Sequence, residues 1–237
     1  MVTVNRTMSN RDAAKRAAGV QAASMISDGM HVGLGTGSTT SYALVEIGRR
    51  IREESLKIVG TPTSFAAEFQ ARNEGIPLVS LDEIDALDIA LDGADEVDAD
   101  LTLIKGRGAA HTREKVVNSL AAEFVVVVDE SKMVDRLGSN FPVPVEILPM
   151  ARHPIEMALR ELGGKPQLRF GSRKDGPVVT DQGFWILDCR FDRIVDAASL
   201  DVRIKMIPGV LEHGLFVGMA TRILVGRDDG SVRVIAG

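Results

Sequence analysis

The chain has 237 residues, 45% of them hydrophobic and 26% charged, which excludes a disordered protein and fits one large or two small globular domains. A formal net charge of −5 and an aromatic content of 4% argue against nucleic acid as a partner. Cys189 is the single cysteine, and no stretch reaches the roughly 20 consecutive apolar residues of a membrane helix, so we predict a cytoplasmic protein without a membrane partner.

Helical and strand patterns alternate through the first 130 residues. In chain order they predict a helix from 9 or 10 to 27, a strand over 31–35, a helix over 38–54, a strand over 57–60, a helix over 63–75, strands over 77–80, 88–91 and 101–104, a helix over 109–122 and a strand over 124–128. Repeated strand–helix units of this kind predict an α/β fold with an open, mostly parallel, Rossmann-like sheet and helices on both faces.

The pattern changes after Asp135, where four prolines between 142 and 154 indicate a crossing between domains. Beyond it we predict a helix over 155–162, strands over 167–170, 177–180 and 184–189, a helix over 197–206, and a hairpin of 223–225 and 232–234 around an Asp-Gly turn. This order of helices and hairpins is typical of a smaller α+β module.

Four loops that carry reactive or glycine-rich residues follow predicted strand ends. They cover residues 33–40, 92–95, 105–114 and 129–132. In an open α/β sheet, ligands bind outside the carboxyl ends of the strands, so we expect these loops to meet at one site.

The first loop contains Thr36, Gly37, Ser38 and Thr39 between a strand and a helix. Glycine lets the backbone approach an anion, helix N–H groups point at it, and the hydroxyls add donors. The dinucleotide fingerprint would need glycine in place of Ser38, and a P-loop would need a lysine that this loop lacks. The loop therefore suits a single phosphate group, unless it is only a glycine turn before a serine-capped helix.

The second loop, with Asp92, Gly93, Ala94 and Asp95, directly follows an apolar strand, so its carboxylates should face the edge of the sheet. It lacks the glycine and glutamate positions of a calcium loop, and the four histidines show no metal-ligand spacing. The alternative to a functional pair of acids is a solvated acidic turn.

The third loop, with Lys105, Gly106, Arg107 and Gly108, places two glycines around a cation at a helix entry, which suits an oxyanion. Lys132 in the fourth loop could contact the phosphate or belong to a plain surface turn. The loops together predict metal-free acid–base chemistry on a small phosphorylated metabolite.

Two residues are candidates for the general base. Glu114 lies in the first turns of the helix that follows the third loop, where the alternative is a solvated pair with Lys115. His111 could equally be a base, although a lone histidine near a helix start is more often packed or hydrogen-bonded. The residues alone leave this choice open.

In order and spacing, six segments of the chain resemble ribose-5-phosphate isomerase of the A type: 35–39, 92–96, 105–109 with 113–115, 131–132, 142–146 and 207–210. The resemblance implies a cofactor-free aldose–ketose isomerase that interconverts D-ribose 5-phosphate and D-ribulose 5-phosphate through an enediolate, in the non-oxidative pentose phosphate pathway. It also implies a catalytic α/β domain of residues 1–137 and 209–237, an inserted domain of 138–208 that serves oligomerisation, and a homodimer or dimer of dimers.

By the same resemblance, Glu114 corresponds to the general base of the family, and Lys105 with the turn from Asp92 to Asp95 holds the sugar hydroxyls and reacting oxygens. Residues 36–39 and Lys132 correspond to phosphate contacts, and residues 106–108 complete the substrate-binding set. Arg107 departs from the family, which usually has glycine there.

Two other functions remain possible interpretations of the pattern. A non-catalytic sugar-phosphate sensor would keep the phosphate loop, and an acyl-CoA transferase of similar fold would need a nucleophilic glutamate and a larger substrate. The intact set from Lys105 to Glu114 argues against both.

Overall fold

The structure is a computed structural model that describes residues 10–172 and 174–237. The helices are α1 (Asn10–Ser24), α2 (Ser38–Glu54), α3 (Phe65–Asn73), α4 (His111–Ser119), α5 (Arg152–Glu161) and α6 (Ala197–Lys205). The strands are β1 (His31–Leu34), β2 (Val59–Pro62), β3 (Leu87–Asp92), β4 (Glu96–Val97), β5 (Leu103–Ile104), β6 (Ala121–Asp129), β7 (Val143–Ile147), β8 (Gly164–Leu168), β9 (Trp185–Phe191), β10 (Val210–His213), β11 (Leu215–Phe216), β12 (Arg222–Gly226) and β13 (Val232–Ala236). Residue 9, the alternative start of the first predicted helix, lies outside the described residues.

The largest sheet has six strands in the order β13-β12-β6-β3-β1-β2. β1 pairs in parallel with β2 and β3, and β6 pairs in parallel with β3 and β12. The β12–β13 hairpin at one edge is antiparallel. The prediction of an open, mostly parallel sheet is therefore confirmed.

Both faces of this sheet are covered, because alternate side chains of its strands enter different cores. Val125 and Val127 of β6 pack in one core with residues of α1 and α2, whereas Val126 packs in the core of the opposite face. On that opposite face a Cβ added to Gly33 would lie 3.1 Å from Val117, so α4 packs closely against β1. Burial on both faces explains the continuous apolar runs of these parallel strands.

The second sheet is antiparallel, in the order β10-β7-β9-β8. Its core includes Ile147 and Leu187 from the strands, Ile155 from α5 and Ile204 from α6, all fully buried. This is the smaller α+β unit that the sequence predicts. Its last strand, β10, begins two residues beyond the boundary predicted at 208, and the division into residues 1–137 with 209–237 and 138–208 stays a prediction.

A small antiparallel sheet of β11, β5 and β4 lies between the two cores. Ile104 and Leu215 belong to the core of the second sheet, while their neighbours Leu103 and Phe216 belong to the core of the first. Lys105 therefore follows directly after a strand that is packed into both cores. Among the described residues, no helix is long and apolar enough to cross a bilayer.

The prediction of a proline-rich crossing over 142–154 is wrong in part, because β7 occupies its first half and is central in the second sheet. Proline is unexpected in a central strand, since it donates no hydrogen bond. The last β7–β10 pair joins Val145 and His213. Pro144 lies just beyond this pair, where β10 has no residue paired with it that would accept a backbone N–H. Its carbonyl still accepts the N–H of Gly214 at 2.8 Å.

Several element boundaries also differ from the prediction. The helix predicted over 109–122 ends at Ser119, because β6 already begins at Ala121. The strand predicted over 57–60 forms over 59–62, and that over 167–170 forms over 164–168. The segments 77–80 and 177–180 form only isolated bridges, and the short strands β4, β10 and β11 were not predicted.

Candidate active site

A cavity of about 470 Å³ opens at the carboxyl ends of β1, β3 and β6, within the usual size of small-molecule sites. Its lining includes every residue of the predicted site except Asp92: Thr36, Gly37, Ser38, Thr39, Gly93, Ala94, Asp95, Lys105, Gly106, Arg107, Gly108, Glu114 and Lys132. The four predicted loops therefore do meet at one edge of the sheet.

A second cavity, of about 540 Å³, lies against α3 and α4. Among the described residues, its charged lining consists of Arg113 and an Arg72–Glu68 ion pair of 2.9 Å, without a lysine between carboxylates. Size alone does not identify a reactive site, whereas buried titratable groups with shifted pKa values do. The cavity at the strand ends is therefore the candidate active site.

Lys105, Asp92 and Glu114 form a buried ion cluster in the wall of this cavity. Lys105 Nζ lies 3.1 Å from Asp92 Oδ2 and 3.2 Å from Glu114 Oε2, and it donates a hydrogen bond to the carbonyl of Gly93. Each of the three charged residues is at most 5% exposed. The contact between Lys105 Nζ and Glu114 Oε2 is an ion pair without hydrogen-bond geometry. Oε2 therefore has no hydrogen-bond partner among the described residues.

Asp92 is the fixed member of the cluster. Its Oδ1 accepts the N–H groups of Thr36 at 3.1 Å and Gly93 at 2.8 Å, and its Oδ2 accepts the Asn118 amide at 3.1 Å. A Cβ on Gly35 would lie 2.4 Å from the Asp92 carboxyl group, so glycine is required there for this carboxylate to fit. Asp92 lies beneath the cavity and does not line it.

The electrostatics of the cluster follow from two carboxylates that share one ammonium group. Burial raises the pKa of Glu114, and the nearby Asp92 charge raises it further against the opposing effect of Lys105. Burial lowers the pKa of Lys105, but the Asp92 and Glu114 charges outweigh it, so the pKa is raised overall. Glu114 thus gains a proton more readily than an ordinary glutamate, and Lys105 remains an ammonium ion.

The first loop forms a further part of the cavity wall. Gly37 has φ of 136° and precedes α2, whose start has no hydrogen bond from a capping side chain. The hydroxyl of Thr36 bonds to those of Thr63 at 2.9 Å and Ser64 at 2.6 Å, which anchors the loop. The free N–H groups at the start of a helix attract an anion.

The third loop is held from both sides. Asp95 Oδ2 accepts the N–H of Arg107 at 2.9 Å, while Arg169 donates to the carbonyl of Gly106 at 2.9 Å. Gly106 has φ of 104°, and a Cβ there would lie 2.6 Å from the ring of His111. The loop conformation therefore requires glycine at 106.

His111 packs beneath this loop and does not line the cavity. Its side chain is fully buried, and neither ring nitrogen has a hydrogen-bond partner within residues 10–172 and 174–237. Burial, with a contribution from Lys115, lowers the pKa of His111 to about 3, so the imidazole is neutral. These observations favour packing over general-base catalysis for His111.

Two cations of the cavity, Arg11 and Lys15 of α1, are not among the predicted site residues. They lie four residues apart, which places them on the same face of the helix. That spacing was a usable signal, but α1 precedes β1 and is not part of any strand-end loop. Asp129 and Ser131, next to Lys132, also line the cavity.

The arrangement combines a buried carboxylate, a fixed ammonium group and a loop for one anion. A carboxylate with a raised pKa can remove a proton from a carbon atom, and the ammonium group can stabilise the oxyanion that results. In the described part of the chain, no group of three or more histidine, cysteine, aspartate or glutamate side chains is arranged to hold a metal ion.

Comparison with known families shows what the sequence is similar to. The family model described as Ribose 5-phosphate isomerase A (phosphoriboisomerase A) matches residues 59–230. The ribose-5-phosphate isomerase A of Thermosynechococcus vestitus is 60% identical over 206 residues, which covers 86% of this chain and 87% of the relative. The family model covers the second, third and fourth strand-end loops but not the first. The alignment with the relative covers most of the chain.

Solved structures agree with the sequence comparison. Ribose 5-phosphate isomerase A from Methanocaldococcus jannaschii is 48% identical and has a TM-score of 0.92, with coverage of 97% of this chain and 100% of that one. A D-ribose-5-phosphate isomerase in complex with phospho-erythronic acid is 44% identical, also with a TM-score of 0.92, and the match covers 94% of this chain and 97% of that one. The chain described here therefore belongs to the ribose-5-phosphate isomerase A family.

Proposed function

We propose that this chain interconverts D-ribose 5-phosphate and D-ribulose 5-phosphate, with Glu114 as the group that moves the proton. The observation that carries this proposal is the Glu114 carboxylate, buried 3.2 Å from the Lys105 ammonium group in a cavity with a loop suited to one phosphate. Membership of the family supports the same reaction and a place in the non-oxidative pentose phosphate pathway.

At the reacting end, Glu114 takes the proton from C2 of the open-chain aldose. The electrons of that C–H bond form the C1–C2 double bond, and the carbonyl oxygen on C1 gains negative charge and then takes up the proton that the C2 hydroxyl releases. Glu114 returns its proton to C1, and the C2 oxygen becomes that of the ketone. Lys105 stabilises the negative charge on the oxygens during both transfers.

Asp95 and Asp92 have different roles in this proposal. Asp95 lines the cavity and contacts sugar hydroxyls, where it assists opening of the cyclic sugar. Asp92 acts through Lys105 and Glu114 as a positioning residue, because its oxygens are already bonded and it does not line the cavity. Gly93, Ala94, Gly106 and Gly108 surround the sugar, and Arg107 lies with Lys132 toward the phosphate.

The phosphate lies at the other end of the cavity. Residues 36–39 offer hydroxyls and the free N–H groups at the start of α2, and Lys132 offers a positive charge. Arg11 and Lys15 add two further cations from α1.

The ligand of a related structure supports this division of the cavity. Phospho-erythronic acid carries a planar carboxylate at one end and a phosphate at the other, as the enediolate intermediate carries two coplanar oxygens and a phosphate. A compound that resembles the intermediate binds more tightly than substrate. For this chain we expect phospho-erythronic acid to inhibit competitively, with its carboxylate beside Lys105 and Glu114.

We also propose that the chain forms a homodimer or a dimer of dimers in a reducing, cytoplasmic compartment. Several large apolar side chains are exposed in the second half of the chain, including Met150 at 90% and Met206 at 75%. Exposed apolar side chains of this kind support association. Light scattering of the purified chain measures the oligomeric state directly.

The experiment that tests the activity is an assay of ribose 5-phosphate conversion by the purified chain, with and without EDTA. We expect the same rate in both conditions. Loss of activity with the chelator would contradict the metal-free mechanism. A folded sample that binds ribose 5-phosphate without turnover would instead support a sugar-phosphate sensor.

A further inference from the structure

Two cations of the cavity lie over one aromatic ring that lies outside its lining. Lys132 Nζ is 4.8 Å, and Arg107 Cζ 5.4 Å, from the centre of the Phe141 ring. Both cations line the cavity, and both come from loops at the strand ends. The Phe141 ring packs against the core of the second sheet, so it connects that sheet to the anion end of the cavity.

The two cations have no carboxylate partner among residues 10–172 and 174–237, where Phe141 is their shared side-chain contact. Long side chains of lysine and arginine lose much rotamer freedom when they are fixed. A cation over an aromatic face is attracted by the ring quadrupole, most often within about 6 Å of its centre. The ring therefore restricts both side chains before an anion arrives, without neutralising either charge.

Phe141 is itself held by a buried carboxylate, Glu96, which is 0% exposed. The Glu96 side chain accepts hydrogen bonds from three backbone N–H groups of one loop, those of Gly138, Asn140 and Phe141. Glu96 directly follows Asp95, whose carboxylate accepts the N–H of Arg107. One acidic turn thus fixes the backbone of both Phe141 and Arg107.

We propose that Phe141 is a positioning residue, whose ring holds Lys132 and Arg107 over the anion end of the cavity while Glu96 holds the ring in place. This rests on the proposed phosphate role of Lys132. Cations that are already ordered bind an anion with a smaller loss of entropy. The arrangement favours substrates with a phosphate at that end and has no part in the proton transfer.

The first test compares Phe141→Leu with Phe141→Tyr in the full chain. Leucine removes the ring and keeps an apolar side chain, so we expect KM for ribose 5-phosphate, and the inhibition constant of inorganic phosphate, to rise about three- to tenfold. We expect kcat to stay within about twofold, because the ring does not contact the reacting atoms. Tyrosine keeps the ring and should keep both constants.

The decisive control repeats Phe141→Leu in a Lys132→Ala/Arg107→Ala background. If the ring acts through these cations, the substitution leaves KM unchanged there, whereas a general packing defect would raise KM or lower kcat in either background. Phe141→Met, which fills a similar volume, replaces Phe141→Leu if the leucine variant does not fold.

The outcomes separate this inference from the proposed function. A rise of KM in Lys132→Ala with unchanged KM in Phe141→Leu would overturn the role of the ring and leave the phosphate assignment standing. Unchanged KM in Lys132→Ala would overturn both. A loss of kcat in Phe141→Leu, or an equal rise of KM in the background without the two cations, would also overturn the proposal.

Discussion

The two ends of the cavity use charge in opposite ways. At the proposed reacting end, Lys105 lies within 3.2 Å of two carboxylates, and all three groups are buried. At the proposed phosphate end, Lys132 and Arg107 form no ion pair within the described residues, and the start of α2 has no side-chain cap. Charges interact more strongly when they are removed from water, so the buried end sets a pKa while the open end attracts an anion.

This difference predicts different kinetic effects at each end. A group that acts only in the transition state lowers kcat, whereas a group that holds the substrate throughout mainly changes KM. Substitutions at Glu114 and Lys105 should therefore lower kcat. Substitutions at Lys132 and Arg107 should raise KM.

The largest effect is expected for Glu114→Gln. The amide keeps the shape of the side chain and removes the base, and general-base catalysis typically contributes ~10²–10⁴-fold. We expect kcat to fall by about that factor, with KM and melting temperature little changed. Steady-state kinetics with ribose 5-phosphate measures this.

A matched control is Glu123→Gln in β6, because Glu123 is 46% exposed in its side chain and does not line the cavity. It should keep full activity. Comparable losses in both variants would mean that the Glu114 substitution acts through stability, which contradicts its role as the base.

The next largest effect is expected for Lys105→Met. Loss of a preorganised group that stabilises an oxyanion typically lowers kcat by ~10²–10³-fold. The variant also leaves Asp92 and Glu114 without their shared cation, so the melting temperature should fall. A variant that keeps wild-type kcat in the same assay would refute the role of Lys105 at the reacting oxygens.

The pH dependence of kcat/KM tests the electrostatics of the buried end. Burial and the Asp92 charge raise the pKa of Glu114 above its ordinary value of 4.5, and only the deprotonated form is a base. Activity should therefore fall as the pH is lowered through a value well above 4.5. In Asp92→Asn one negative charge is lost, so this acid limb should move to lower pH, and a shift to higher pH would contradict the account.

At the open end, Lys132→Ala should raise KM about tenfold, since a charge-assisted hydrogen bond to phosphate is worth roughly 1.5–3 kcal/mol and water replaces part of it. The fall in kcat should be smaller than this rise. Lys165→Ala is the control, because Lys165 lies on β8, is 67% exposed in its side chain and pairs with Asp192. If kcat collapsed at constant KM, Lys132 would belong to the reacting end.

The smallest effect is expected for Arg107→Gly, which introduces the glycine that the family resemblance leads one to expect at this position. Arg107 is exposed, and its side chain lies over the Phe141 ring. We expect KM to rise with a change of less than tenfold in kcat/KM, because a single exposed cation contributes little in water. A larger loss would show that the guanidinium group contacts the substrate directly.

Much of the site could be predicted from local sequence because each loop follows a strand. The mainly apolar strands β1, β3 and β6 end at Leu34, Asp92 and Asp129. Because these strands are parallel, the residues that follow them lie at the same edge of the sheet. The glycines at 35 and 106 also mark places where another side chain packs closely, as the contacts with Asp92 and His111 show.

The rest depends on contacts between distant segments. Nothing in the local sequence distinguishes the buried Asp92 from the cavity-lining Asp95. Asp92 is buried because Gly35 leaves room for its carboxyl group and Asn118 donates a hydrogen bond to it, and both residues are distant in sequence. Arg11 and Lys15 reach the cavity from a helix that precedes the sheet. The prolines of β7 argued against a strand. They are tolerated because the pairing of β7 with β10 stops before Pro144, which local sequence does not show.

The measurement that tests the central claim most directly is the incorporation of solvent deuterium at the reacting carbon of the sugar in deuterated water. We predict incorporation by the wild type and a rate lower by about two to four orders of magnitude in Glu114→Gln. His111→Ala loses a packed, neutral ring beneath Gly106 and should keep most of the exchange at a lower melting temperature. Exchange that survives in Glu114→Gln and disappears in a folded His111→Ala variant would contradict the account and identify His111 as the base.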